Sequence, residues 1–218
     1  MIALRPVRPH AVAVALALAS GAAPSRPVLA ADRGVLGIDR RLDYSATGPW
    51  SETNQLWLYR ASIVVPWAGA LVEGAETRIG RTWWRAAESA TASLPALTLV
   101  KRATGRMRPD QSEPPDADAW FRGSAHQSFP SGHVTVATAA VLPFVLEYRH
   151  DAPAVWALAA IPLYMGVARV RTQAHWQTDV LGGWALGAVS AWLTGLPDSP
   201  LVLRAFGDGG FVGLRYRF

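Results

Sequence analysis

The chain has 218 residues, half of them hydrophobic and 17% charged, with a net charge of +5, ten tryptophans and no cysteine. That length suits one domain with a real core, and the lack of cysteine excludes disulfides and thiolate metal sites. No run of five Lys/Arg occurs, so nucleic acid is set aside as a partner in favour of phosphate groups and anionic lipid headgroups.

Met1 to Ala30 reads as a secretory signal. Arg5, Arg8 and His10 form a basic start, Ala11 to Ala19 a short apolar run, and Val28-Leu29-Ala30 a small-residue cleavage site. The alternative, an uncleaved anchor, is disfavoured because the apolar run is short for a membrane span. Export follows, to the periplasm or the periplasmic face of a membrane. Asp32 to Ser51 shows no strong period and reads as an N-terminal extension packed on the surface.

Gln55 to Val72 is apolar and aromatic, and reads as a helix kinked at Pro66. Glu73 to Glu88 is amphipathic, its charges forming a solvated face. Ser89 to Arg102 is expected to be the next helix, kinked at Pro95, stopped by Thr104-Gly105, and carrying Lys101 at its C-terminal end. Basic residues there compensate the helix dipole, and that is the reading for Arg102 and Arg106. Pro109 to Gln127 is polar and proline-broken. Its carboxylates (Asp110, Glu113, Asp116, Asp118) match no metal loop and read as a solvated rim, so neither a metal nor a cofactor is expected.

Ser128-Phe129-Pro130-Ser131-Gly132-His133 is a tight turn opening into a helix, with Ser131 as N-cap. Free N–H groups at a helix start favour an anion, and His133 places a titratable imidazole beside them. Val134 to Leu146, Pro153 to Ala168 and Val180 to Leu196 are apolar nearly all round, and the last carries Gly183, Gly187 and Ala191 at four-residue spacing for close packing. Leu201 to Phe218 reads as a β-hairpin turning at residues 207–210. The expected fold is all-α: a bundle of about five to six helices with a short C-terminal hairpin, divided as 1–30 signal, 31–200 helical domain and 201–218 tail. The tryptophans and the charge-poor last three helices favour membrane association.

Three segments carry chemistry in order. They are Lys101 to Pro109 (K-x6-RP), Pro130 to His133 (PSGH) and Arg169 to Asp179 (R-x5-H-x3-D). Together they resemble the type 2 phosphatidic acid phosphatase family, which also holds bacterial acid phosphatases and vanadium haloperoxidases. The resemblance implies a metal-independent phosphoric monoester hydrolase acting on a lipid phosphate or a soluble ester. By that likeness, His175 attacks phosphorus to form a phosphohistidine and His133 protonates the leaving group. Asp179 orients His175, while Lys101, Arg108, Ser131, Gly132 and Arg169 hold the phosphate. His175 and Asp179, four residues apart, are expected to share one helical face. A haloperoxidase using the same anion pocket, or a binding protein without catalysis, are the alternatives. The family usually has Ser where this chain has Ala168, and Thr172 or water is expected to replace that hydroxyl.

Overall fold

The structure, a computed structural model, describes residues 34–195 and the backbone of 201–206 and 209–214. The expected signal lies outside the described residues. Among the described residues there are five α-helices: α1 Glu52–Glu73, α2 Arg78–Thr104, α3 Gly132–Tyr148, α4 Ala160–Arg171 and α5 Gln177–Thr194. Past Gly195, the backbone of Leu201–Phe206 pairs antiparallel with Gly209–Leu214. The turn and end of the expected hairpin, with all its side chains, lie outside the described residues.

Local chemistry sets the helix limits. Ser51 caps α1 by accepting the Asn54 N–H at 3.3 Å, and Thr77 caps α2 by accepting the Gly80 N–H at 3.0 Å. Gly105, left-handed at φ +48°, ends α2. Pro66 is buried inside α1 without ending it. The two stretches expected over residues 73–102 are one 27-residue helix starting at Arg78 and running through Pro95. The change from amphipathic to apolar composition near residue 89 falls inside this helix and is not a break. A second boundary also moves. Pro153–Ala159 is a 3-10 segment and α4 proper begins at Ala160. Pro162 explains the start, because a missing N–H costs nothing within the first turn of a helix.

α3 is the axis of the bundle. Every residue from Val134 to Val141 is buried, and the helix packs against α1, α2, α4 and α5. One core cluster joins Val134 to Met165, Val170 and Val180, and another joins Val136 and Ala140 to Ala90. The small-residue stripe on α5 does the packing expected of it. A Cβ at Gly183 would lie 2.8 Å from the Ser131 carbonyl, and one at Gly187 would lie 2.5 Å from that of Thr135. A methyl group at either position would force α3 and α5 apart, at about 1–3 kcal/mol. That closeness seats the Ser-Gly-His turn directly on α5.

Candidate active site

Four helix ends meet at one end of the bundle. Lys101 lies in the last turn of α2 and Arg169 in the last turn of α4. Gly132 and His133 open α3, and Asp179 is the third residue of α5. Arg108 follows α2 in the connecting loop, and His175 sits between α4 and α5. The Ser131 N–H donates to the Asp179 carbonyl at 2.9 Å and ties the turn to α5. Two positive helix starts and three cations thus face one region, an arrangement that suits an oxygen-rich anion. The predicted residues Lys101, Arg108, Ser131, Gly132, His133, Arg169, His175 and Asp179 are brought together there.

Several donors in the cluster are unengaged. Ser131 occupies the N-cap position, but its hydroxyl caps nothing and is buried without a partner. The expected side-chain cap is therefore absent, since the first helical bond of α3 runs from Thr135 N–H to the Ser131 carbonyl alone. Arg169 donates from one terminal nitrogen to Gln55 Oε1 at 3.0 Å, while its buried Nε has no partner. Buried polar atoms are rarely left this way in a structural core. Lys101 Nζ donates to the Gln127 carbonyl at 2.5 Å. Burial first, then Arg108 and Arg169, push its pKa down to about 8 against the pull of Asp179.

The two histidines are held alike. Burial, then Arg169, Arg108 and Lys101, push the His133 pKa down to about 3. Its ring packs 4.6 Å from that of Tyr59. His175, 2% exposed, is pushed to about 3 chiefly by burial, with Asp179 opposing and Arg169 and Lys101 adding to the effect. Both rings are therefore neutral near pH 7 in the free protein.

The spacing of His175 and Asp179 predicts one helical turn, but the two do not share one. α5 begins at Gln177, so His175 precedes the helix and Asp179 lies inside it. What joins them is the helix start: the Asp179 carboxylate reaches back to accept the Trp176 N–H at 2.8 Å, which sets it 3.5 Å from His175 Nδ1. That distance is too long for a hydrogen bond of ordinary strength, and with the ring neutral His175 Nδ1 is buried without a partner. Burial opposes charge on Asp179. The His175 ring, the Arg106 guanidinium and the Ser128 hydroxyl outweigh it and hold the carboxyl below its ordinary value.

Arg106 departs from its sequence reading. It is fully buried rather than compensating a helix end, and pairs with Asp179 and Asp39 at 2.6 Å each. Arg102, by contrast, is exposed. Ser128, also fully buried, donates to Asp179 Oδ2 at 2.5 Å. Asp39, Arg106, Ser128, Gln55 and Tyr59 are thus site neighbours that the motifs do not announce. Thr172, expected to replace the hydroxyl missing at Ala168, is engaged elsewhere, donating to the Ala168 carbonyl at 3.0 Å. In the rim Asp110, Glu113 and Asp118 are exposed, while Asp116 is half-buried and accepts the Asp118 N–H at 2.9 Å. Within it, Gln111 Oε1 accepts the Arg108 N–H at 2.8 Å, 3.4 Å from His126 Nδ1.

A sequence profile of the PAP2 superfamily matches residues 83–196. The lipid A 1-phosphatase of Rhizobium johnstonii is 39% identical over 101 residues, covering 45% of this chain and 40% of that protein. That of Rhizobium etli is 34% identical over 126 residues, 50% of this chain and 53% of the relative. The Porphyromonas gingivalis enzyme of the same name is 36% identical over 107 residues, 48% and 21%. The chain therefore spans about half or less of the length of these relatives. No solved structure matches.

Proposed function

Because the chain belongs to the PAP2 superfamily, we propose that it is a phosphatase of lipid phosphate monoesters, with lipid A 1-phosphate as the first substrate to test. The observation that carries this reading is the meeting of Lys101, Arg108 and Arg169 with His133 and the His175–Asp179 pair at four helix ends. The names of the three relatives point to the lipid substrate.

The proposed reaction follows from the charges. A phosphate monoester enters as a dianion, and the Arg108 and Arg169 forks and the Lys101 ammonium neutralise it, with the Ser131 hydroxyl as a further donor. Those three cations, after burial, are what keep His133 neutral in the free protein. Binding the dianion offsets the cations and raises the proton affinity of His133, and in this reading His133 carries the proton in the bound complex. His175 turns Nδ1 toward Asp179, which leaves Nε2 with its lone pair as the attacking atom. The Nε2–P bond forms as the ester P–O bond breaks, and His133 gives its proton to the departing oxygen. Water then attacks phosphorus and gives a proton to His133, the Nε2–P bond breaks, and inorganic phosphate leaves. Among the described residues no three His, Cys, Asp or Glu side chains converge as a metal-binding group. The positive charge that the chemistry needs comes from side chains.

A lipid substrate also fits the exterior. Trp57, Val64, Leu71 and Val72 on α1, Leu99 on α2 and Trp192 on α5 are all exposed. Among the described residues, Pro153–Arg171 is the one helical stretch long and apolar enough to cross a membrane by length and composition. Membrane association, with the site on the exported side, is part of this reading.

Phosphate release from detergent-dispersed lipid A and from para-nitrophenyl phosphate tests it. His175→Ala abolishes turnover, and His133→Ala lowers it by about 10²–10⁴-fold, the usual contribution of a general acid. A good leaving group partly rescues His133→Ala and not His175→Ala. Full activity in His175→Ala would sink the mechanism. Bromide oxidation with added vanadate, in place of phosphate release, would turn the assignment to a haloperoxidase.

A further inference from the structure

The N-terminal segment, which lies before the part of the chain that matches the family, is bound along the loop that carries His175. Arg40 N–H donates to Gln177 Oε1 at 2.8 Å, and Gln177 Nε2 donates to the Arg40 carbonyl at 3.0 Å. Arg41 Nε donates to Gln173 Oε1 at 3.1 Å, and Gln173 Nε2 to the Leu42 carbonyl at 2.6 Å. Ser45 N–H closes the run on the Arg171 carbonyl at 2.9 Å. At its head, Asp39 is fully buried. It accepts from Thr178 N–H at 2.8 Å, from Thr178 Oγ1 at 2.7 Å and from Arg106 at 2.6 Å. Gly34 makes room, since a Cβ there would fall 2.1 Å from Asp39 Oδ2.

Arg106 is saturated in turn. One terminal nitrogen donates to Asp179 Oδ1 at 2.6 Å and to Thr178 Oγ1 at 2.7 Å, and the other to Asp39 and to the Ala117 carbonyl at 2.6 Å each. Its Nε also meets the Ala117 carbonyl at 3.2 Å, and the Trp120 ring covers its face at 4.3 Å. The guanidinium has no freedom left, so neither has the Asp179 oxygen it holds.

We propose that residues 39–45 form a strap belonging to the active site, and that Asp39 and Arg106 are positioning residues that set Asp179 against His175. The charge tally says why two residues are used. Arg106 alone would make a neutral pair with Asp179 and leave nothing to support a cationic imidazole. With Asp39 present, two carboxylates share one guanidinium, and one negative charge remains for His175. The inference rests on the phosphatase reading for its purpose, but its geometry is testable apart from turnover.

The test uses the full chain, with Asp39→Asn and Arg106→Met, read by pH–rate profiles and by histidine ¹⁵N NMR of His175. Asp39→Asn leaves Arg106 and Asp179 as a neutral pair with no surplus negative charge, so kcat falls about 10²-fold with KM within about threefold, and His175 stays neutral to lower pH. Arg106→Met removes the cation and leaves two carboxylates, so the His175 titration moves to higher pH. Lys101, Arg169 and Asp179 are the other charges acting on His175, and both variants keep them. Opposite shifts support the strap as an electrostatic part of the site. Shifts in the same direction, or none, would overturn it, because a structural loss has no sign. If Arg106→Met does not fold, the Asp39→Asn profile decides alone: an unmoved acid limb in a folded protein ends the inference. A wild-type protein that turns over no phosphate ester but shows the NMR shifts would end the phosphatase reading and keep the strap.

Discussion

The two ends of the bundle use the same ionic groups to opposite purpose. At the far end, Arg78 pairs with Glu147 at 2.7 Å and Asp151 at 2.5 Å, and Arg85 reaches Glu147 at 3.0 Å. Arg78, Arg85 and Asp151 are roughly half exposed there. At the site end, Arg106 makes a comparably short pair of contacts with Asp39 and Asp179, and all three side chains are fully buried. Water competes for the first cluster and screens it, so the contacts hold little in place. In the second cluster a lost partner leaves a buried charge, so the geometry tolerates no alternative. Distance does not separate the two clusters; desolvation does.

The comparison can be broken by removing one arginine at each end. Arg106→Met costs about 3–5 kcal/mol of stability, the usual result of breaking a buried pair, while Arg78→Met leaves the unfolding midpoint nearly unchanged. Chemical denaturation of both variants measures the difference. Equal losses would mean that burial is not what distinguishes the ends.

Acid sharpens it. The folded pKa values of His133 and His175 lie near 3, below the ordinary value of 6.5. The unfolded chain therefore binds protons first as the pH falls. The contribution of these two rings to stability is complete above about pH 6.5 and declines between about 6.5 and 3, by at most about 1.4 kcal/mol per pH unit for each ring. Vanadate or phosphate neutralises the surrounding cations and flattens that slope. Thermal unfolding across this range, with and without the anion, tests both statements. A slope the anion leaves unchanged would mean that the cations do not act on His133.

The smallest effect separates two hydroxyls. Ser131→Ala removes an unengaged buried donor and lowers kcat/KM about tenfold, as loss of a hydrogen bond to a charged acceptor would. Thr172→Val removes a hydroxyl already bound to its own helix and leaves kcat/KM within about twofold. Steady-state kinetics on one substrate compares them directly.

What the sequence made legible was chemistry at helix ends. Lys101, His133, Arg169 and Asp179 each stand within a turn of a helix start or stop, and those limits can be read from caps, glycines and apolar runs. Features that depend on distant partners stayed hidden. Arg106 and Arg102 look alike in a basic run, and only Asp39 and Asp179, 67 and 73 residues away, tell them apart. The expected shared face of His175 and Asp179 failed for a related reason. Four-residue spacing is ambiguous across a helix start, where a carboxylate reaching back to the Trp176 N–H does the same work. The split at residue 89 followed composition, although the helical period of α2 never stops there.

Asp39 has a consequence for the order of assembly. Its bonds to Thr178 span 139 residues, the widest separation among the side-chain contacts of the site. In a chain made from its N-terminus, Asp39 exists long before the helix start it must meet. Until α5 has docked, Arg106 is the one side chain of this network that its carboxylate can meet. The helices can pack through nearer contacts, but the closing of this long loop comes late, as non-local contacts do. The protein passes through a stage at which the bundle is formed and the chemistry is not yet switched on. Pulsed hydrogen exchange during refolding would show it as protection arriving later at the Thr178 amide than along α3.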